Sequence, residues 1–270
     1  MLDGGAMFGL TPAPLWRRLV TPDERNRIPL QTNCLLLERD GALVLIETGI
    51  GDKLSDKLRS IYAQERRTVA DAIREVGRDP AGVSTVIVTH LHFDHAGGLT
   101  RLGDAGAAIP TFPNAEVVVQ RQEWEDALAN KSTMHSTYLR DHLDPIADRV
   151  RLVDAEAEVL PGISVMPMPG HTWGQQAVRF TDDAGRTVVF PGDVAPTVHH
   201  AGLATQMAYD MLPYENMLRK KHLLTTAREQ GWLIVLDHEP GDPVVRSAPN
   251  PDREGQFRLI AAREDSPQPG

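Results

Sequence analysis

The chain has 270 residues, 41% of them hydrophobic and 24% charged, which is ordinary usage for a globular protein long enough to bury its own core. Its 28 Lys and Arg against 37 Asp and Glu leave a net charge of −9, which argues against nucleic acid or an anionic membrane as partner, since both need a basic face. The one cysteine, Cys34, excludes a disulfide framework and any Cys-rich zinc module. No apolar run is long enough to span a bilayer, and Met1-Leu2-Asp3-Gly4-Gly5 has neither the basic patch nor the apolar stretch of a signal peptide, so a reducing, cytoplasmic setting is the expectation.

The elements follow from pattern. Cys34-Leu35-Leu36-Leu37-Glu38 and Ala42-Leu43-Val44-Leu45-Ile46-Glu47 flank Asp40-Gly41 and predict a hairpin with a tight turn. Val69, Ala72, Ile73 and Val76 repeat at helical spacing, with a Thr68/Asp71 capping box ahead and Gly77 as the stop. Residues 85–89 predict a buried strand, and 116–120 another that leads into a helix through Trp124 and Leu128. Three further strands are expected at 163–168, 176–180 and 187–190, with Asp183-Ala184-Gly185 turning between the last two. A helix over 215–230 ends at Gly231, and 232–236 is a final buried strand. Strands dominate both halves, which suits a sheet sandwich covered by helices better than a doubly wound parallel sheet. One domain is expected over 1–262, with the polar, Pro-rich 263–270 as a disordered tail.

The chemistry concentrates in Thr89-His90-Leu91-His92-Phe93-Asp94-His95-Ala96-Gly97-Gly98. Alternation along an extended chain sends His90, His92 and Asp94 to one side; His95 joins them only if the chain turns, and Gly97-Gly98 supplies backbone freedom for that turn. Imidazole nitrogen and carboxylate oxygen suit zinc and its borderline neighbours. A single buried histidine is commonly structural, but four ligand-type side chains at a strand end would cost unsatisfied polar groups if packed without a metal.

His90-x-His92-x-Asp94-His95 with Gly97-Gly98 resembles the signature of the metallo-β-lactamase superfamily. Pro169-Gly170-His171-Thr172, Phe190-Pro191-Gly192-Asp193 and Leu236-Asp237-His238-Glu239 each follow a strand and resemble that family's remaining motifs in order, over at least 33–238. The resemblance implies a four-layer αββα sandwich. It also implies two divalent ions, zinc first, with manganese, cobalt or iron as alternatives. His90, His92 and His171 would hold one ion, Asp94, His95 and His238 the other, and Asp193 would bridge them. A bridging hydroxide would attack the substrate, with Asp94 orienting it. Members that bind iron for redox work carry Glu at the second motif position; His92 here implies hydrolysis.

Outside the metal motifs, Asp3-Gly4-Gly5-Ala6-Met7-Phe8-Gly9, Asp193-Val194-Ala195-Pro196-Thr197-Val198-His199 and Ala208-Tyr209-Asp210 resemble the YtnP-like branch of quorum-quenching lactonases. That branch implies a small lactone or ester substrate, and its relatives often dimerise, which makes a homodimer the expectation. The better-known lactonases place a Tyr three positions after the bridging Asp; here that residue is Pro196. His199 is weighed as the replacement donor against an ordinary loop histidine, with Tyr209 and Tyr214 as weaker candidates that read first as packing residues. Met7 and Phe8, with Tyr209, are candidates to line an acyl pocket, against a plain packing role. Trp124, flanked by Glu123 and Glu125, reads as a core anchor or dimer contact. His135, His142, His200 and His222 match no motif and are expected at the surface. Phosphotriester or phosphodiester hydrolysis on the same two-metal core is the alternative, and a non-catalytic metal-binding regulator the distant one.

Overall fold

A computed structural model describes residues 1–262; the expected tail, 263–270, lies outside the described residues. The chain divides into two compact units, the first from Met1, Thr32–Ala157 and Trp173–Gln176, the second from Leu2–Gln31, Glu158–Thr172 and the residues from Ala177 onward.

The first unit is built on a five-stranded sheet. Leu35–Arg39 and Ala42–Ile46 pair antiparallel, with Arg39 opposite Ala42. The two residues between them, Asp40 at φ 52° and Gly41 at φ 79°, both occupy the left-handed region, as a turn matching the strand twist requires. Val83–Ile87, Glu116–Gln120 and Val150–Val153 then add in parallel. Parallel strands are buried on both faces, which explains why Val117-Val118-Val119 is continuously apolar rather than alternating. One face packs Leu43, Leu45, Val86, Val117 and Val119 with Ile73 from the helix Val69–Glu75 and with Trp124 and Ala127 from the helix Arg121–Leu128. Trp124 is thus a core anchor. Val150–Val153 was not legible as a strand because Arg149 and Arg151 interrupt its apolar pattern.

The second unit carries a seven-stranded sheet. Gln176–Thr181 and Thr187–Phe190 form its expected hairpin, and Asp182 Oδ1 shapes the turn by accepting from the backbone N–H of Ala184 and Arg186. The helix Pro213–Gln230 packs Leu223, Leu224 and Ala227 onto Val189, Ile234 and Val245. Leu233–Val235 then pairs parallel to Thr187–Phe190. Ala157–Leu160 and Ile163–Pro167 extend the sheet beyond Gln176–Thr181, and Val244–Pro249 and Phe257–Ala261 extend it on the other side; Arg246, Arg258 and the bounding prolines hid the last two from the pattern. At the other end of the chain, Leu2–Asp3 pairs with Arg27–Ile28, and Met7, Phe8, Trp16, Ile28 and Met207 form a separate small core.

Two histidines depart from expectation. His135 and His222 are exposed, but His142 and His200 are both only 1% exposed. Neither position is apolar in the sequence, so nothing local announced their burial. Among the described residues no helix is long and apolar enough to cross a membrane.

The capping box at the start of Val69–Glu75 is complete: Asp71 N donates to Thr68 Oγ1 at 3.3 Å and Thr68 N to Asp71 Oδ2 at 2.9 Å. Thr68→Ala is expected to lower stability by about 1 kcal/mol, read as a lower urea midpoint at unchanged m-value.

Candidate metal centre

In the first unit the His-rich loop leaves the end of the strand Val83–Ile87. His92 is still extended, at φ −62° and ψ 155°, and the single helical turn Phe93–Ala96 then swings His95 back towards its predecessors. The ring of His90 lies 4.5 Å from that of His92 and 3.9 Å from that of His95, and ligand atoms of His90 and His92 come within 4.8 Å of each other. Asp94 is half-buried, its Oδ1 3.9 Å from His95 Nε2. The two glycines serve a different purpose from the one expected. A Cβ on Gly97 would sit 2.1 Å from the carbonyl oxygen of Ile50, and one on Gly98 2.1 Å from that of Thr48. Close approach of two backbones, rather than freedom to turn, demands glycine there.

Two buried carboxylates organise this loop. Glu47 accepts from Thr89 N at 2.6 Å with Oε1 and pairs with His95 Nδ1 at 3.1 Å with Oε2. Its own φ of 67° is a left-handed conformation that costs a side-chain-bearing residue about 1–2 kcal/mol, so these contacts hold it in place. Glu123 Oε1 accepts from Leu91 N at 2.9 Å and from the Tyr138 hydroxyl at 3.1 Å, and the Tyr138 ring stands 5.0 Å from His92. Burial, reinforced by the Glu123 charge, pushes the Tyr138 phenol far up, so it remains a donor. His90 Nδ1 lies 3.0 Å from Thr89 Oγ1.

In the second unit His171, Asp193 and His238 come together from three separate motifs. Asp193 sits on the 3₁₀ turn Gly192–Val194 that follows the strand Thr187–Phe190. Its Oδ2 lies 3.1 Å from His171 Nε2 and its Oδ1 3.3 Å from His238 Nε2. The other nitrogen of each ring is also engaged. His171 Nδ1 is 2.9 Å from Asp210 Oδ1, and His238 Nδ1 donates to the carbonyl of Gln31 at 2.7 Å. Asp210 is held in turn by Asn216 Nδ2 at 3.0 Å and Met207 N at 3.1 Å. Buried Asp237 brings a ligand atom within 4.8 Å of those of Asp193 and His238.

This donor set fits a borderline divalent ion. It consists of imidazole nitrogen and carboxylate oxygen, all buried but the half-buried Asp94, and the rings of His90, His95, His171 and His238 are engaged through Nδ1, which leaves Nε2 as the ligating atom. Glu47, Glu123, Asp210 and Asp237 were missed as contributors. An acid closing an apolar strand, as in Ile46-Glu47, was the one available signal.

The remaining candidates lie in the second unit. Met7 and Phe8 are enclosed in the small core, where Phe8 stacks between Trp16, at 5.5 Å, and His200, at 5.4 Å. That is the packing role weighed for the pair. Tyr209 is half-buried against the same core, and Tyr214 is exposed, not packed. His199 is half-buried, and its ring stands 6.2 Å from Phe8. Burial lowers its pKa, with the Glu239 carboxylate acting in the opposite sense, so the ring is neutral at pH 7. The Pro196 carbonyl accepts from His238 N at 3.0 Å, giving that residue a backbone role. His200 bridges the Met7 carbonyl at 2.9 Å and Thr197 Oγ1 at 2.8 Å.

A family model described as the metallo-beta-lactamase superfamily matches residues 27–238. The N-acyl homoserine lactonase AiiA of Bacillus thuringiensis subsp. kurstaki is 28% identical over 239 residues, 82% of this chain and 85% of that protein. The N-acyl homoserine lactonase AttM of Azorhizobium caulinodans is 26% identical over 66% of both chains. Among solved structures, a protein described as a probable metal-dependent hydrolase from Staphylococcus aureus is similar at a TM-score of 0.84 and 30% identity, over 96% of this chain and 92% of that one. The dizinc quorum-quenching lactonase AidC is similar in fold, with a TM-score of 0.69 at 17% identity over 86% and 79% of the two chains.

The buried histidines make stability depend on pH. Burial first, then a nearby Lys charge, lowers His142 and His200 to about 3 each, whereas both titrate near 6.5 when unfolded. Between those values the unfolded state binds the extra protons, so stability falls as pH drops from 6.5 towards 3. Each group contributes a slope of up to about 1.4 kcal/mol per pH unit. His200→Gln should flatten the fall by one such increment, measured as urea midpoints between pH 4 and 7.

Proposed function

Because this chain belongs to the metallo-beta-lactamase superfamily, we propose that it is a binuclear hydrolase of lactones or carboxylic esters of the N-acyl-homoserine-lactone type. The chain has the metallo-beta-lactamase fold and is an enzyme of the metal-dependent hydrolase class. The observation that carries the finer reading is Asp193, whose two carboxylate oxygens each meet an imidazole Nε2 oriented from behind. In this reading His90, His92 and His171 form one ligand set, and Asp94, His95 and His238 the other. Asp193 belongs to both, and Asp237 is an added donor beside His238.

Two divalent ions held by these residues, zinc by the chemistry of the donors, would supply a nucleophilic water at neutral pH and a Lewis acid for the oxygen that becomes negative. The chain's own residues do the rest. Asp193 fixes the spacing of the two sets. Asp94, less buried than the histidines, orients the water and accepts its proton. His199, kept neutral by burial, donates an N–H to the developing oxyanion in the absence of a hydroxyl at Pro196. Tyr209, half-buried against the Met7–Phe8 core, is the face that an acyl chain meets. The lactonase names of the similar proteins support the substrate class. Pro196 is what keeps phosphotriester hydrolysis as the second reading.

Metal analysis is expected to give about two ions per chain, with N and O ligands at roughly 2.0–2.2 Å. Asp193→Ala should remove activity and metal together, whereas His199→Ala should cost about 10²–10³ in kcat, the usual effect of one oxyanion donor, with metal retained. A fully active His199→Ala would return His199 to an ordinary loop residue.

Substrate preference is tested with an acyl series. A buried methylene contributes about 0.8 kcal/mol, so two more carbons should raise kcat/KM roughly tenfold until the acyl site is filled. Paraoxon-type triesters outperforming every lactone would decide for the second reading.

A further inference from the structure

The first unit contains a lysine that the proposed chemistry does not use. Lys53 lies in the loop between the hairpin and the helix Asp56–Tyr62, and it is half-buried. Its Nζ donates to two backbone carbonyls, those of Gly97 at 2.5 Å and Thr100 at 2.6 Å. These carbonyls belong to the C-terminal end of the turn that carries Asp94 and His95, where Phe93–Ala96 passes into the 3₁₀ turn Gly97–Leu99. Unpaired carbonyls at such an end favour a cation.

The same loop grips this turn at other points. Thr48 donates to the carbonyl of His95 through both its N–H, at 3.0 Å, and its Oγ1, at 2.6 Å, and Gly98 N donates to the Gly49 carbonyl at 3.0 Å. The missing side chains of Gly97 and Gly98 let the two backbones meet. The gripping loop is itself braced. Arg59 donates to the carbonyls of Leu54 and Asp52, Gln64 to that of Gly51, and Asp52 Oδ1 accepts from Leu102 N. Thr100 Oγ1 donates to the Asp141 carbonyl, which ties the far end of the turn to the helix Arg140–Leu143. Burial lowers the Lys53 pKa to about 8, with Asp141 and Asp52 working against the shift, so the ammonium persists at pH 7.

We infer that Lys53 is a positioning residue for the proposed metal ligands: its ammonium ties the Gly97 and Thr100 carbonyls together and so sets where Asp94 and His95 stand. This rests on the metal-binding reading above. Lys53 acts through these two backbone carbonyls, and its effect falls on the ligand set of Asp94 and His95 rather than on that of His90 and His92, which precede the turn.

The test is metal release from the zinc-loaded, full-length enzyme to a chromogenic chelator, with ions per chain counted on the same samples. Wild type, Lys53→Met and Lys53→Arg are compared. Lys53→Met is expected to release one equivalent about tenfold or more faster than wild type, with the other equivalent unchanged. Lys53→Arg, which keeps the charge and the donors, should restore slow release at least in part. Two unchanged phases in Lys53→Met would overturn the inference. Equal acceleration of both phases, with no rescue by Arg, would also overturn it, because that is general loosening of the fold. Should the Met variant not fold, Lys53→Gln is measured in its place against the same outcomes. A wild type holding a single ion would end the binuclear reading. Lys53 would then be judged on that ion, with faster release and rescue by Arg supporting the inference and unchanged release refuting it.

Discussion

An imidazole offers a metal one nitrogen at a time, and the partner of its other nitrogen decides where that one points. Four candidate ligands here are anchored through Nδ1. His90 is tied to a neighbouring hydroxyl, His95 and His171 to the carboxylates of Glu47 and Asp210, and His238 to the Gln31 carbonyl. Two of these anchors cost the fold something. Glu47 adopts a left-handed backbone, and Asp210 is almost wholly buried, held by Asn216 and Met207 N. The return is a set of Nε2 atoms fixed before any ion arrives, which reduces the ordering that metal binding must impose.

The anchors depend on the sheets. In the first unit the His-rich loop leaves the carboxyl end of a parallel strand, the end at which loops of open sheets usually carry function. Packing of Val86, Val117 and Val119 around Trp124 holds that strand still, while Glu123, the residue before Trp124, reaches the backbone of Leu91. One helix thus buries an anchor on one side and supports the loop with its neighbour. The second unit works similarly. Asp193 follows the central strand Thr187–Phe190, and the helix Pro213–Gln230 covers the sheet with Leu223, Leu224 and Ala227 while Asn216, in its first turn, supports Asp210.

Burial of charge and polarity recurs away from the ligands. His142, His200, Lys53 and Lys220 are all displaced from their ordinary pKa values chiefly by desolvation. Such groups lower stability at neutral or acid pH relative to apolar residues of similar size. What they provide is direction: a buried donor with a defined partner admits few alternative packings, as where Lys220 donates to the Thr205 carbonyl at 2.6 Å.

Local chemistry was legible in the chain. The Asp40-Gly41 turn, the Thr68–Asp71 cap, the strand that ends before His90 and the helix that ends at Gly231 all depend on residues a few positions apart, and all formed where expected. The candidate ligands were legible too, because motif spacing is written in consecutive residues. Tertiary structure alone decided what orients them. Glu47 and His95 are separated by 48 positions, His171 and Asp210 by 39, and Gln31 and His238 by 207. It also decided that Gly97 and Gly98 serve a backbone contact, that Phe8 stacks on His200 in a core, and that Arg-interrupted segments such as Val244–Pro249 pair as strands. Hydrogen-bond partners and burial are properties of contacts between distant segments, and a pattern read over ten or fifteen neighbouring residues holds no record of which distant segment will arrive.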